Sequence, residues 1–298
     1  MSRKNICINY YIIALAVLLQ IFTACKTKAD KEDGNSSPRV TALSYLWDGK
    51  FDEAEVAFKK AIKTDKDNLL NYIDLSLLYL AKDDFNAVEK QVQDGLKIHP
   101  GNTELKLILA EAYVQQNNTQ NAEKELNEVL SADPKNLVAL YMLSSMMKTG
   151  RDANGQGRNL LKILDISPAN IPVRLHLAAL YAAENKTDSS LFYLQSIQKI
   201  APAFTLVADT VYQKAMALLQ KNQPSGALYF IRRFHQLMEA TRPYANDFAE
   251  IEPPVFPGVK SEFNDSRFGQ TDNRDRVITL NDIQFTEIAE KTGLTIPA

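Results

Sequence analysis

The chain holds few thiols and imidazoles: Cys7 and Cys25, His99, His176 and His235. A transition-metal site needs several such groups, or carboxylates, converging at ligand spacing, and no two of these five stand within a helical turn of one another. Each histidine therefore reads as structural or solvated. His99 falls at the end of a helical pattern, where a positive charge suits the negative end of the helix dipole. Asp65-Lys66-Asp67-Asn68 starts like a calcium loop, but its sixth position lacks the glycine on which such a loop turns, and its twelfth is Ser76 instead of a bidentate Glu. It reads as a turn. Arg232-Arg233 reads as part of a solvated basic face. With 34 Lys and Arg against 36 Asp and Glu, a net charge of −2 and a pI near 6.0, the chain has no general positive field for nucleic acid. No catalytic constellation, metal site or cofactor site emerges, and the expectation is a protein that is not an enzyme.

Cys25 has a role of another kind. Arg3 and Lys4 precede an apolar run, Tyr11 to Leu19, which resumes at Ile21 and Phe22 after Gln20. That run is shorter than the ~20 residues a spanning helix needs and follows the order of a secretory signal. It ends in Phe22-Thr23-Ala24-Cys25, which resembles the lipobox of bacterial lipoprotein signals: an apolar residue, two small ones, then the cysteine that is diacylated. The resemblance implies that residues 1–24 are a lipoprotein signal peptide and Cys25 the lipidation site. Once Cys7 leaves with the signal a single cysteine remains, so no internal disulfide can form. Residues 25–37 are polar and aperiodic, the composition of a disordered tether. Lys26 stands where an Asp would resemble an inner-membrane retention signal, and Lys31-Glu32-Asp33 resembles the Lys-acid-acid signal of surface lipoproteins in Bacteroidetes. The implied location is the cell envelope, lipid-anchored at the outer membrane, on its periplasmic face or at the cell surface.

The elements that carry these residues follow from composition and period. A 45% hydrophobic fraction with 23% charge supports a folded core, and 11 glycines in 298 residues are too few for a fold rich in phosphate loops and hairpins. Pro100, Pro134, Pro168 and Pro202 recur every 34 residues. With those prolines at position 32 of each unit, position 7 is Thr41, Leu75, Leu109, Leu143 and Leu177, position 8 is Ala42, Ser76, Ala110, Ser144 and Ala178, and position 11 is Tyr45, Tyr79, Tyr113, Met147 and Tyr181. Position 20 is Ala54, Val88, Ala122, Gln156 and Ser190, position 24 is Phe58, Val92, Leu126, Leu160 and Leu194, and position 27 is Ala61, Gly95, Val129, Ile163 and Ile197. The spacing predicts two antiparallel helices per unit, apolar at positions 7 and 11, small at position 8 where they cross, and small at the opposing position 20 in three of five units. A sixth unit follows three residues out of register, after an expected insertion near Thr205, with Ala215, Leu218, Ala227, Ile231 and Phe234 at the repeating positions. In the fourth unit, Arg151 to Arg158 carries glycines where a second helix should begin, so that helix is expected to be loose or late.

These residues resemble the tetratricopeptide repeat. The resemblance covers about 200 residues and implies an all-α fold, a right-handed superhelix of about six helix pairs over residues 38–240, whose first helices line a concave groove. In the family that groove is built from positions 2, 5, 9, 12 and 13 of each unit. Here the candidates are Arg39 and Trp47, Leu77, Glu111 and Gln115, Tyr141 and Lys148. Ile73 and Leu77 stand where chaperone-binding members carry Lys and Asn, so a clamp for a C-terminal carboxylate is not expected. Trp47, the only tryptophan, is either a binding anchor or packing against neighbouring structure.

Residues 241–298 are expected to be irregular: Pro243, Pro253, Pro254 and Pro257 break helices, and Ser261 to Arg276 is polar without a period. Val255 and Phe256 are expected to cover the end of the last repeat. Ile283 to Leu294 is similar to the segment that opens FG-GAP/VCBS-type β-propellers. The combined expectation is a membrane-anchored scaffold whose groove binds a peptide or partner helix of another envelope protein. The alternatives are the N-terminal part of a longer propeller-bearing protein and a glycan-uptake accessory lipoprotein of the kind that resembles SusD.

Overall fold

The computed structural model describes residues 37–149 and 153–255. Cys25, the expected signal and tether up to residue 36, and the residues from Phe256 onward lie outside them. Among the described residues there are thirteen helices and no strand: α1 Pro38–Trp47, α2 Phe51–Thr64, α3 Leu69–Ala81, α4 Phe85–Ile98, α5 Thr103–Gln115, α6 Thr119–Ala132, α7 Leu137–Thr149, α8 Ala153–Ile166, α9 Ile171–Ala183, α10 Thr187–Ile200, α11 Leu206–Gln220, α12 Pro224–Glu239 and α13 Arg242–Ala249. The all-α repeat architecture is as the 34-residue period requires. From α3 to α10 each first helix spans 13 residues and each second helix 14, at the same place in every unit.

Two recurring residues punctuate this register. The last residue of four units is Asn68, Asn102, Asn136 or Asn170, whose side-chain oxygen accepts a first-turn N–H of the next helix, from Leu70, Leu105, Ala139 and Val173 respectively. Between the helices of a pair stands a residue in the left-handed region: Gly49 at φ 73°, Asp83 at 56°, Asn117 at 58° and Asn185 at 57°. Glycine, asparagine and aspartate are the types that tolerate that conformation when a helix must stop and turn back. Asp65 to Asn68 is an inter-repeat turn held by the Asn68 amide donating to Asp65 at 3.2 Å.

The chain divides into two compact units, one ending at Asn71 and the other beginning at Tyr72. In the first, α1 packs on α2 and buries Ala42, Leu46, Ala54, Phe58 and Ala61. In the second, every position-24 residue from Val92 to Leu194 is fully buried, a burial worth roughly 1.5–3 kcal/mol per large apolar side chain. Positions 8 and 20 meet where the helices cross. Ser144 donates to the carbonyl of Gln156 at 3.2 Å and Ser190 to that of Ala178 at 2.8 Å, each on the partner helix, whereas Ser76 donates to the carbonyl of Tyr72 in its own helix at 2.7 Å. Gly95 marks the closest approach: a Cβ there would lie 2.8 Å from Leu105 Cδ1 and 3.0 Å from Tyr72 Cβ.

Three local expectations come out differently. The second helix of the fourth unit is not late: α8 starts at Ala153, in register with α6 and α10, and buries Gly155 and Gly157, the latter beneath Leu180 of α9. Close packing there offsets the ~1 kcal/mol that a helical glycine costs. The three-residue offset of the sixth unit arises in two steps, one residue in the turn before α11 and two within α11, which runs 15 residues. Finally, Pro243 does not break a helix but opens α13, because in the first turn its fixed φ fits and its missing N–H has no acceptor to lose.

Candidate functional site: a groove face that receives a helix

The first helices carry the positions at which the repeat family lines its groove. Ile73 and Leu77 on α3 are buried, as are Leu107 and Glu111 on α5, Tyr141 and Ser145 on α7, and Leu175 on α9. Glu111 is only 2% exposed and accepts a hydrogen bond from the exposed Gln115, at 2.9 Å. In the unit ending at Asn71, Arg39 is half-buried and Trp47 is 86% exposed at the end of α1. Lys148 lies in α7, with its side chain outside the described residues.

Over α7 to α9 this face is occupied by the chain itself. In the regular pairs a second helix packs on its own first helix and on the next one; α12 instead packs on α11 and also across α9, the first helix of the preceding pair. Ile231, Phe234 and Met238 of α12 join Leu175, Ala178 and Ala182 of α9 in one buried cluster. Crossing α9 brings together two histidines 59 positions apart in sequence, His176 and His235, whose rings meet edge to face at 4.6 Å. Each is paired with a tyrosine: His176 Nε2 lies 3.1 Å from the Tyr141 hydroxyl and His235 Nε2 lies 2.8 Å from the Tyr244 hydroxyl. The row Tyr141, His176, His235, Tyr244 thus ties α7, α9, α12 and α13 together through buried polar groups, all with partners.

Helix α13 then returns over the start of α9. Tyr244, Asp247, Phe248 and Ile251 fall at i, i+3, i+4 and i+7, one helical face. Phe248 sets its edge on Tyr141 at 6.1 Å and stacks on Tyr244 at 6.0 Å. Ile251 is fully buried among Leu140, Tyr141, Leu160, Ile163, Val173 and Leu177. The polar contacts are directional. Ile171 N–H at the start of α9 donates to the Asp247 carboxylate at 2.9 Å, Asn170 Nδ2 donates to the Asp247 backbone carbonyl at 2.9 Å, and Ser167 Oγ donates to Glu250 at 2.8 Å. A carboxylate on first-turn N–H groups gains from both the unsatisfied donors and the positive end of the dipole. Burial still pushes the Asp247 carboxyl above its usual range; the Ile171 N–H draws it down and the neighbouring Glu250 pushes it further up.

Of the groove candidates and histidines singled out from the sequence, the structure places Tyr141, His176 and His235 in this contact. It brings in Asn170, Asp247, Phe248 and Ile251, which the sequence reading passed over. The signal for α13 was present as the one-face spacing of Tyr244, Phe248 and Ile251, obscured by the prolines around it. Residues 244–251 pack on α7 to α9; of the two residues expected to cover the end of the last repeat, Phe256 lies outside the described residues. Among the described residues no cluster of three or more metal-ligating side chains occurs, and no helix is long and apolar enough to cross a membrane.

Residues 92–146 match the tetratricopeptide repeat family. Among solved structures the chain is similar to Pseudomonas aeruginosa PilF, at 15% identity over 72% of this chain and 96% of that one, with a TM-score of 0.52. It is also similar to PilW, described as a widely conserved type IV pilus biogenesis factor, at 16% identity over 71% of this chain and 95% of the other, with a TM-score of 0.50. A tetratricopeptide repeat protein from Parabacteroides merdae matches at 18% identity over 78% of this chain and 96% of that one, with a TM-score of 0.49. No curated protein matches the chain. The period, the helix register and the likenesses to PilF and PilW agree on a tetratricopeptide-repeat fold.

Proposed function

We propose that this protein is a lipid-anchored interaction scaffold of the bacterial cell envelope, tethered through Cys25 at the outer membrane and holding a peptide or helix of another envelope protein on its first-helix face. The observation that carries this reading is that the face over α7 to α9 accepts a polypeptide segment by aromatic packing, a carboxylate on a helix start and an amide gripping a backbone carbonyl. Those are the contacts by which a folded surface recognises a helix or extended chain. Scaffolding needs no catalytic group, and the reading assigns none. Proteins crosslinked to the array in cells and identified by mass spectrometry should include a reproducible envelope partner; recovery of none would count against the scaffold role. Replacing Cys25 with Ala should release the protein from membranes, and unchanged fractionation would sink the anchor. The stretch Ile283 to Leu294 favours a second reading, in which the array is the N-terminal part of a longer propeller-bearing protein. In-frame propeller blades in the DNA just downstream would decide for it.

A further inference from the structure

We infer that the face formed by α7, α8, α9, α12 and the Ser167–Asn170 turn is a receptor for a short helix with an aromatic, an acidic, an aromatic and an aliphatic residue at i, i+3, i+4 and i+7, and that Arg242–Val255 is its resident, exchangeable ligand. The occupant is a helix of that chemistry on another protein, which takes the place of the chain's own segment. This deepens the scaffold reading and rests on it for the existence of a partner.

The resident segment states what the surface recognises. Ile251 fills an aliphatic pocket between α7, α8 and α9, and Phe248 lies on the Tyr141 ring. Asp247 fixes direction, because its carboxylate is placed against the Ile171 N–H while its carbonyl is held by Asn170. These two contacts use a first-turn N–H that has no acceptor in its own helix and a side-chain amide, groups that water or a rival segment can satisfy in turn. The segment is short, an eight-residue helix and the residues after it, and its link to α12 is the two residues Ala240 and Thr241. A helix of that length has little stability of its own and depends on the surface it docks to. A docked segment lowers the apparent affinity of any rival in proportion to the fraction of time the face is free.

The direct test supplies the segment in trans. A fluorescent peptide of residues 241–255 is titrated into the native full chain and into Asp247→Ala/Phe248→Ala, which alters only the resident segment. The variant should bind the peptide at least tenfold more tightly than the native chain, and a peptide carrying the same two substitutions should not bind. Equal weak binding to both chains would overturn the proposal. To guard against a misfolded variant, a protease site inserted between Ala240 and Thr241 is cut in the otherwise native folded chain. The cleaved fragment should stay bound through gel filtration and be displaced by excess peptide. A fragment that falls away with no peptide binding, or one that excess peptide never displaces, contradicts an exchangeable ligand. Dimerisation of the cleaved chain would give the face to a second copy and also overturn the proposal. Peptide exchange with no crosslinked envelope partner would leave the receptor standing and remove the scaffold role, whereas a partner mapped to other helices with no exchange would do the reverse.

Discussion

Helices α3 to α10 and helices α11 to α13 are built from the same kinds of residue yet pack by different rules. In the first region the contacts recur at a spacing of 34 residues: an Asn cap, a left-handed turn residue, an Ala or Ser at position 8 where the helices cross and a large apolar residue at position 24. In the second, α11 is longer, α12 crosses back over α9, and α13 reaches the turn between α8 and α9. Periodic packing is local, so each repeat answers mainly to its neighbours. The returning helices instead join residues far apart in sequence, 77 positions between Asn170 and Asp247. The first region makes a surface, and the second uses part of it.

The largest effect that would break this distinction is in the core of the returning region. Phe234 is fully buried and meets Phe204 and Tyr212 at 5.0 and 5.3 Å. Phe234→Ala should cost about 3–5 kcal/mol, and amide exchange should rise across α9 and α11 to α13 while α5 and α6 stay protected. A uniform rise over all helices would erase the difference. Next comes a change within the periodic region. Gly95→Ala forces a methyl against Leu105 and Tyr72 and should cost about 1–3 kcal/mol by thermal or denaturant unfolding. Unaltered stability would mean that the helices there part more easily than the 2.8 Å approach requires.

A paired substitution sharpens the comparison at one repeat position. Asn102 and Asn170 cap α5 and α9 in the same way, and aspartate caps as well as asparagine. Asn102→Asp should be nearly silent, whereas Asn170→Asp loses the amide that holds the Asp247 carbonyl. It should cost about 0.5–1.5 kcal/mol, seen as faster exchange in α13. The smallest effect is a titration inside the regular array. Burial, followed by the neighbouring Glu89, pushes the Tyr113 hydroxyl up to about 12. The folded chain therefore keeps a proton that the unfolded chain releases near ~10. Stability should be indifferent to this group below that value and fall as pH rises from there towards about 12. Ultraviolet titration of the native chain against Tyr113→Phe should remove a late phenolate step.

The regular region was legible in the sequence because each of its contacts involves residues at a fixed offset, so Pro, Asn and the small residues repeat in print as they do in space. The second helix of the fourth unit was misjudged because glycines were read for their backbone cost and not for the approach of Leu180 they permit. Tyr141 was found as a surface position, but what lies on it was not. Nothing in the local pattern of Pro243 to Ile251 says which distant surface will receive it, and His176 and His235 become neighbours only once α12 crosses α9. Long-range, non-repeating contacts leave no period to read.

The central claim, that the chain's own Asp247 sits on the start of α9, is tested most directly by one amide. Ile171 occupies the first-turn position of α9, as Leu137 does in α7, a position whose N–H has no acceptor within its own helix. The carboxylate bond to Ile171 should slow its exchange about tenfold or more relative to Leu137, as ~1.4 kcal/mol requires. Asp247→Ala should bring the two amides to the same rate. Equal exchange at Ile171 and Leu137 in the native chain would contradict the account.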